Sequence, residues 1–241
     1  MHLVLIFILL LTTCMYAFAE VDAELLIKAN SGDHDAQFEV GKHYLINNEY
    51  PKAIEWFTLA ATQGNVRAQN NLGVMHDEGL GVKLDKYEAF KWYKLAAEQG
   101  YPTAQNNLGV VYADGEAVEQ DYLEAIKWYK LAAKQGYAES QFNLGVMYAT
   151  GEGVKQDKQE AAKWYELAAK QGHAEAQYNL GIMYAKGEGV EISFEQAYYW
   201  FLLACENDDS EIGELAAKYR EKVEKELTTN QKDSIREKAQ K

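Results

Sequence analysis

The sequence predicts an all-α protein built from repeated helix pairs. All five tryptophans are spaced 36 residues apart, at Trp56, Trp92, Trp128, Trp164 and Trp200. Glycines keep the same period, and the unit that begins at Ala68 recurs three times with few changes. A unit of this length cannot bury its own apolar face. Neighbouring units are therefore expected to stack into one continuous core.

Each unit is expected to contain two helices. In the first, apolar and small residues such as Leu72 and Met75 recur at spacings of three and four, which indicates an amphipathic helix. The second helix ends at a glycine that can adopt the left-handed conformation of a C-terminal cap. The second helix begins with the capping-box pattern. In this pattern the side chain of the N-cap residue and the side chain three residues later each accept a hydrogen bond from the other residue's backbone N–H. These pairs are Asp85 and Glu88, Asp121 and Glu124, Asp157 and Glu160, and Ser193 and Gln196. The first unit lacks this pattern and has Pro51 in the first turn instead, which an early helical position tolerates.

A glycine-containing turn joins the two helices of each full unit, as in Gly151-Glu152-Gly153-Val154. A glycine pair also occurs in phosphate-binding loops. Neither GxGxxG nor GxxxxGK[ST] follows here, and the turn recurs from unit to unit. A structural connector is therefore favoured over a phosphate site.

These residues carry a family resemblance. The pattern AQxxLGxMYxxGxGVxxDxxEAxKWYxLAAxQG resembles the Sel-one-like repeat, a longer relative of the tetratricopeptide repeat, over about residues 36–209. The resemblance implies a right-handed α-solenoid of antiparallel helix pairs. It also implies that the first helix of each pair lines the concave side.

The domain organisation follows from the repeat register and from the two ends. A short helix before the first unit and charged helices after the last one are typical of the polar caps that a solenoid needs. The predicted segments are a signal peptide (1–19), an N-terminal capping helix (20–35), five repeats (36–67, 68–103, 104–139, 140–175 and 176–209) and C-terminal capping helices (210–241).

The N-terminus predicts export. Leu3 to Leu11 is an unbroken apolar run, and Ala17-Phe18-Ala19 fits the small-x-small rule for signal peptidase, with cleavage after Ala19. No Lys or Arg precedes the run. A retained anchor and a lipoprotein modified at Cys14 are the alternatives. The favoured prediction is a periplasmic or secreted protein with no membrane insertion after signal cleavage.

No catalytic or metal-binding pattern stands out, so the chain is not expected to be an enzyme or to need a cofactor or metal. The histidines form no HExxH, and no SxxK occurs. Cys205 would be the only cysteine after signal cleavage, so no internal disulfide can form, and its alanine equivalents in other units indicate a small buried residue. Cysteine-rich members of the Sel-one-like repeat family, which this chain resembles, have been described as penicillin-binding proteins or β-lactamases. A hydrolase of that type is therefore the alternative function, resting on the resemblance alone.

Charge narrows the class of partner. The formal net charge of −13 repels nucleic-acid phosphates and anionic lipid. A protein or peptide of basic or neutral character fits better, and we expect a monomer. The favoured function is an exported scaffold that binds a protein or peptide through its concave surface, acting as an adaptor in the cell envelope or outside the cell.

A variable column on the first helices is the candidate binding site. Three residues before the helix glycine, successive units carry Phe38, Asn70, Asn106, Phe142 and Tyr178. By analogy with tetratricopeptide repeats, this column faces the concave groove, with polar groups near the N-terminus and aromatic groups near the C-terminus. The alternative is that Phe142 and Tyr178 pack against adjacent helices.

Overall fold

The computed structural model describes residues 21–205 and 211–239. The predicted signal peptide therefore lies outside the described residues. Within the described ranges, all regular structure is helical, which confirms the all-α repeat fold. The chain divides into two compact units, the first ending at Trp92 and the second beginning at Tyr93.

In the first unit, each helix packs against the next along the chain. Short connections between consecutive packed helices give antiparallel pairs. Its complete helices are α1 (Ala23–Asn30), α2 (His34–Ile46), α3 (Tyr50–Thr62) and α4 (Val66–Glu78). Helix α5 (Lys86–Glu98) contains the division between the two units.

In the second unit, consecutive helices from α6 to α12 pack against each other, whereas the last helix packs against α11. Helices α6, α8 and α10 are the first helices of repeats three to five, and α7, α9 and α11 are their second helices. A 3₁₀ turn at Glu224–Glu226 separates the last two helices. The helices are α6 (Pro102–Asp114), α7 (Tyr122–Lys134), α8 (Ala138–Thr150), α9 (Lys158–Ala169), α10 (Ala174–Lys186), α11 (Phe194–Ala204), α12 (Glu211–Val223) and α13 (Thr229–Ala239).

The helices end where the sequence predicts. The glycine after each second helix in repeats one to four has a left-handed backbone, with φ of +91° at Gly64 and +88° at Gly172. In the glycine turn of repeat four, Gly153 also has a positive φ, of +68°. A Cβ atom there would lie 2.5 Å from the Cβ atom of Tyr122, so this glycine lets the turn pack against the second helix of repeat three.

The predicted capping boxes form only in part. The Asp121 carboxylate accepts a hydrogen bond from the backbone N–H of Glu124 at 3.0 Å, as expected. The Glu124 side chain instead forms an ion pair with Lys127. The backbone N–H of Asp121 donates to the carbonyl oxygen of Tyr112 at 2.8 Å. A carbonyl of the first helix in the same repeat thus accepts the hydrogen bond from the Asp121 N–H that the capping box assigns to the Glu124 side chain.

In repeats one to four the buried ring of the second helix follows the tryptophan, and in repeat five Trp200 is buried as well. Trp128 and Trp164 are half-buried, whereas Tyr129 and Tyr165 are buried. In repeats one and five the same position holds Phe57 and Phe201. Both phenylalanines are buried completely. The residue after the tryptophan therefore forms the centre of each repeat core.

A buried glutamine in each first helix links it to the preceding second helix. The side-chain amide of Gln141 donates to the carbonyl oxygen of Ala133 at 3.2 Å, and its oxygen accepts from Gln171 at 2.7 Å. The Ala133 carbonyl at the end of α7, which also accepts from the Gly136 N–H at 3.0 Å, thus gains a partner from the next helix. Equivalent bonds run from Gln37 to Ala29, Gln69 to Ala61, Gln105 to Ala97 and Gln177 to Ala169.

Among the helices of residues 21–205 and 211–239, none is long and apolar enough to span a membrane. Cys205, at the C-terminal cap of α11, packs beside the core of the last repeat and is half-buried, whereas the sequence predicts a buried residue there.

Candidate partner-binding surface

The five residues of the variable column are all buried or half-buried. Phe38, Asn70 and Asn106 are buried, with exposed fractions of 5–6%. Phe142 and Tyr178 are half-buried.

Phe38 lies beneath a charged side chain in the first unit. Its ring centre is 5.7 Å from that of Phe57, and the Arg67 guanidinium lies over its outer face at 4.2 Å. Arg67 forms ion pairs with Asp35 at 3.0 Å and Glu39 at 3.3 Å. A partner would have to displace this arginine to reach the Phe38 ring.

Asn106 joins two neighbouring first helices. Its side-chain oxygen accepts hydrogen bonds from the Ser140 hydroxyl at 2.8 Å and the Asn143 amide at 3.0 Å. Ser140 occupies a position where the other four repeats have alanine. The Ser140 hydroxyl therefore provides a hydrogen-bond donor for the side-chain oxygen of the buried Asn106.

Phe142 stacks on His173, the residue that caps the first helix of the next repeat. The ring centres of Phe142 and His173 are 4.6 Å apart, and Tyr165 lies 5.8 Å away. The His173 side chain is only 10% exposed, and its two nitrogens lie 3.0 Å from Glu139 and 3.3 Å from Glu175. The hydrogen bond from His173 lowers the pKa of Glu139.

Tyr178 packs at the C-terminal end of the array. Its ring centre lies 6.1 Å from that of Phe201 and 5.7 Å from that of Tyr219. Burial raises the pKa of its hydroxyl, and Tyr219 raises it further. The contacts of Phe142 and Tyr178 thus fit the packing alternative, and partner binding by the column stays a prediction.

A wider surface contains the last three members of this column. In α8 the side chains of Glu139, Phe142, Val146 and Ala149 share one face, because they are spaced by three or four residues. We call this surface, with its equivalents in α6 and α10, the first-helix face. Its members are Thr103, Asn106, Val110 and Ala113 in α6, the four named residues in α8, and Glu175, Tyr178, Ile182 and Ala185 in α10.

The column prediction missed the aliphatic part of this face. Val110, Val146 and Ile182 are half-buried and lie at the edge of the core clusters. They follow the column by four residues in every case, so the repeat register could have identified them from sequence. Their exposed portions, with the exposed Glu139 and Glu175, give the face an apolar centre and an acidic edge.

The packing of Gly153 against Tyr122 fits the structural connector that the sequence favours for the glycine turn. An open cavity of about 580 Å³ adjoins the turns of repeats four and five. Three charged residues line it: Lys158 is paired with Glu188 at 2.9 Å, Asp157 caps α9, and Lys155 is exposed. Across the described part of the chain, no group of His, Cys, Asp and Glu side chains could hold a metal ion.

Comparison with known families identifies the repeat. The family model for the Sel1 repeat matches residues 34–65, 66–101, 102–137, 138–173 and 174–209. The chain belongs to the Sel1 repeat family. Each matched Sel1 repeat begins at the first residue of its first helix, for example Val66 of α4 and Ala138 of α8.

Solved structures agree with this assignment. The chain is 38% identical to a protective antigen of uropathogenic Escherichia coli strains with an SLR fold, with a TM-score of 0.77 over 83% of this chain and 43% of the other. It is 32% identical to a Sel1 repeat protein from Oxalobacter formigenes, with a TM-score of 0.70 over 78% and 74%. A Klebsiella pneumoniae protein described as a Sel1 repeat protein shares the fold at 23% identity, with a TM-score of 0.56 over 84% and 98%.

The chain spans less than half the length of the Escherichia coli antigen. No curated protein matches it. Sel1 repeats generally form scaffolds for protein–protein interaction, and the comparisons give no support to the hydrolase alternative.

Proposed function

We propose that this Sel1 repeat chain is an exported scaffold that binds a protein or peptide segment along the first-helix face. The observation that carries the proposal is the order of side chains on α8 and α10. Each helix carries an acid, an aromatic ring, a branched aliphatic residue and an alanine along one face. Such a face offers apolar contact and charge selection for a bound segment.

The chemistry of the face indicates the kind of segment. Val146 and Ile182 offer apolar contact at its centre, and alanines at 149 and 185 allow close approach. Glu139 and Glu175 at the edge favour Lys or Arg in the partner. The overall charge of −13 acts in the same direction by attracting basic segments.

A capture experiment with matched variants tests the proposal. The test variant is Val146→Lys with Ile182→Lys, which adds charge to the first-helix face. The control is Leu131→Lys with Leu167→Lys, since these second-helix side chains are 44% and 45% exposed. The immobilised chains are incubated with cell-envelope extract, and the retained proteins are quantified by mass spectrometry.

We expect a partner that is retained by the wild type and the control but reduced at least about tenfold by the test variant, which corresponds to about 1.4 kcal/mol. Circular dichroism must show equal helix content in all three chains. If the test variant is less helical, Val146→Ala with Ile182→Ala replaces it. Equal retention by the test and control variants would contradict binding at the first-helix face.

Export is the second part of the proposal, with an adaptor role in the cell envelope or outside the cell. The apolar run Leu3–Leu11 and the site Ala17-Phe18-Ala19 support it. Cell fractionation and mass spectrometry of the native protein test it. We expect an N-terminus at Glu20 in the periplasmic or secreted fraction. An intact N-terminus in the membrane fraction would indicate an anchor, and a lipidated Cys14 would indicate a lipoprotein.

A further inference from the structure

The last helix, α13, covers one face of α11 through polar and cationic contacts. The Gln231 amide donates to Glu195 at 2.5 Å. The Arg236 guanidinium lies 5.9 Å from the ring centre of Tyr198, and the Lys238 amine lies 4.9 Å from that of Tyr199. Ile235 adds a half-buried apolar contact.

The covered face of α11 is equivalent to a junction between repeats. Tyr198 occupies the position of Ile54 and Ile126 in repeats one and three. Those isoleucines are covered by the glycine turn of the next repeat, at Gly81 and Gly153. In the described residues after α11, helix α13 lies over this position instead. The helix therefore occupies a surface that the repeat architecture uses for association.

Helix α13 contributes only partly exposed side chains to its contact with α11, although Tyr198 beneath it is only 1% exposed. None of its eleven described residues is buried. The ion pair of Arg236 with Glu224 lies at the surface, where such pairs contribute little to stability. An isolated helix of this length is only marginally stable in water. Detachment of α13 is therefore expected to need far less free energy than global unfolding.

We propose that the α11 face formed by Glu195, Tyr198 and Tyr199 is a second binding surface, which α13 occupies until a partner helix replaces it. The partner is a basic amphipathic helix of another protein. The partner helix must carry the side chains that α13 places on α11. These are an apolar residue equivalent to Ile235, an Arg one position after it and a Lys three positions after it. The tyrosine rings bind the cations, and the acidic chain attracts the helix. This surface is separate from the first-helix face.

A peptide-exchange experiment on the full chain tests this surface. The probe is a fluorescent peptide of residues 228–241, followed by anisotropy. The test chain carries Arg236→Glu and Lys238→Glu, which remove both cation–π contacts of α13 and leave α11 intact. The matched control carries the same charge change at exposed sites, Lys218→Glu and Lys225→Glu.

We expect the test chain to bind the peptide at least about tenfold more tightly than the wild type and the control. In those two chains the tethered α13 competes at a high effective concentration. Adding Tyr199→Ala to the test chain should abolish binding. A peptide with both cations changed to Glu should not bind.

Amide hydrogen exchange provides an independent measurement. We expect residues 229–239 of the wild type to exchange much faster than α10, and those of the test chain faster still. Wild-type protection equal to that of α10 would overturn the proposal, as would failure of the test chain to bind the peptide. A wild-type dimer that forms at high concentration and is lost in the test chain would also overturn it, because α13 of a second copy would then be the occupant.

Discussion

The ring of Tyr165 in α9 lies directly against the α-carbon of Gly145 in α8. A Cβ atom on Gly145 would be 2.5 Å from a ring carbon of Tyr165, closer than real contacts allow. The same pairing occurs between Gly41 and Phe57, Gly109 and Tyr129, and Gly181 and Phe201. The glycine therefore sets how closely the two helices of a repeat approach.

Gly145→Ala is expected to destabilise the protein despite alanine's better helix propensity. The propensity gain is about 0.8–1.0 kcal/mol, whereas overpacking a rigid core typically costs about 1–3 kcal/mol. A net loss of up to about 2 kcal/mol should appear in urea unfolding. In a Tyr165→Ala background the same change should become stabilising, because the ring is gone. A loss of equal size in both backgrounds would show that Tyr165 is not the cause.

The buried tyrosines predict a loss of stability in alkali. Burial raises the pKa of Tyr165 from 10.0 to about 12 and also raises that of Tyr129. Because the folded-state pKa is the higher one, their contribution is fully present below about pH 10 and is lost as the pH rises through the folded-state pKa. Tyr129→Phe with Tyr165→Phe should lose less stability than the wild type between about pH 10 and 12.

Repeats one and five already use phenylalanine at this position, so the double variant should fold. Thermal unfolding at each pH is the measurement. The control is Tyr87→Phe, whose side chain is exposed and should leave the alkaline profile unchanged. Identical profiles for the wild type and the double variant would contradict the burial argument.

Gln141→Met is expected to cost about 0.5–1.5 kcal/mol, because it removes the buried hydrogen bond to the Ala133 carbonyl and the bond from the Gln171 amide. The Ala133 carbonyl keeps its bond from the Gly136 N–H, and the Gln171 amide keeps its bond to the Leu167 carbonyl. The matched control is Gln171→Ala, which removes an exposed side chain from the same network and should cost less. Denaturant unfolding compares the two. An equal cost would indicate that the buried bond to the backbone contributes little.

The pair formed by His173 and Glu139 predicts acid sensitivity at the junction of repeats four and five. The hydrogen bond from His173 holds the pKa of Glu139 below its ordinary value of 4.5. Its stabilising contribution is therefore present above the unfolded-state pKa and is lost as the pH falls through the lower folded-state value. Between about pH 5 and pH 3, the wild type should lose more stability than Glu139→Gln, as measured by urea unfolding at each pH. Parallel curves would contradict this assignment.

The double change Phe142→Asn with Tyr178→Asn separates packing from binding in the variable column. Asn106 is satisfied by Ser140, but the equivalent neighbour of position 142 is Ala176, which has no hydroxyl. We therefore expect the melting temperature to fall by several degrees. Ala176→Ser should restore part of it. Full stability combined with lost partner binding would instead favour the column as a direct contact site.

Local sequence signals predicted the helices well, because they depend on neighbouring residues. The glycine at 136 and the aspartate at 121 each fix a helix end through their own backbone or side chain. The reciprocal bond of the capping box was not predictable in this way. The Tyr112 carbonyl, which lies nine residues before Asp121 along the chain, takes that bond.

For the candidate site, the sequence predicted which positions are equivalent between repeats but not what their side chains contact. The sequence places Phe142 and Tyr178 at equivalent positions, but it does not reveal that His173 stacks on one and Tyr219 packs against the other. The most regular signal was also misleading about burial. The tryptophan period is strict, yet the buried ring at repeat four is Tyr165, one residue later, because that position faces Gly145.

By itself, the sequence determined the helical repeat, its period, its helix ends and its acidic charge, since these follow from spacing and composition. The tertiary structure decided which side chains of each helix are available to a partner. Exposure depends on the close approach of two helices at Gly145 and on the coverage of α11 by α13. Both arise from contacts between segments that are distant along the chain, which a repeat pattern does not specify.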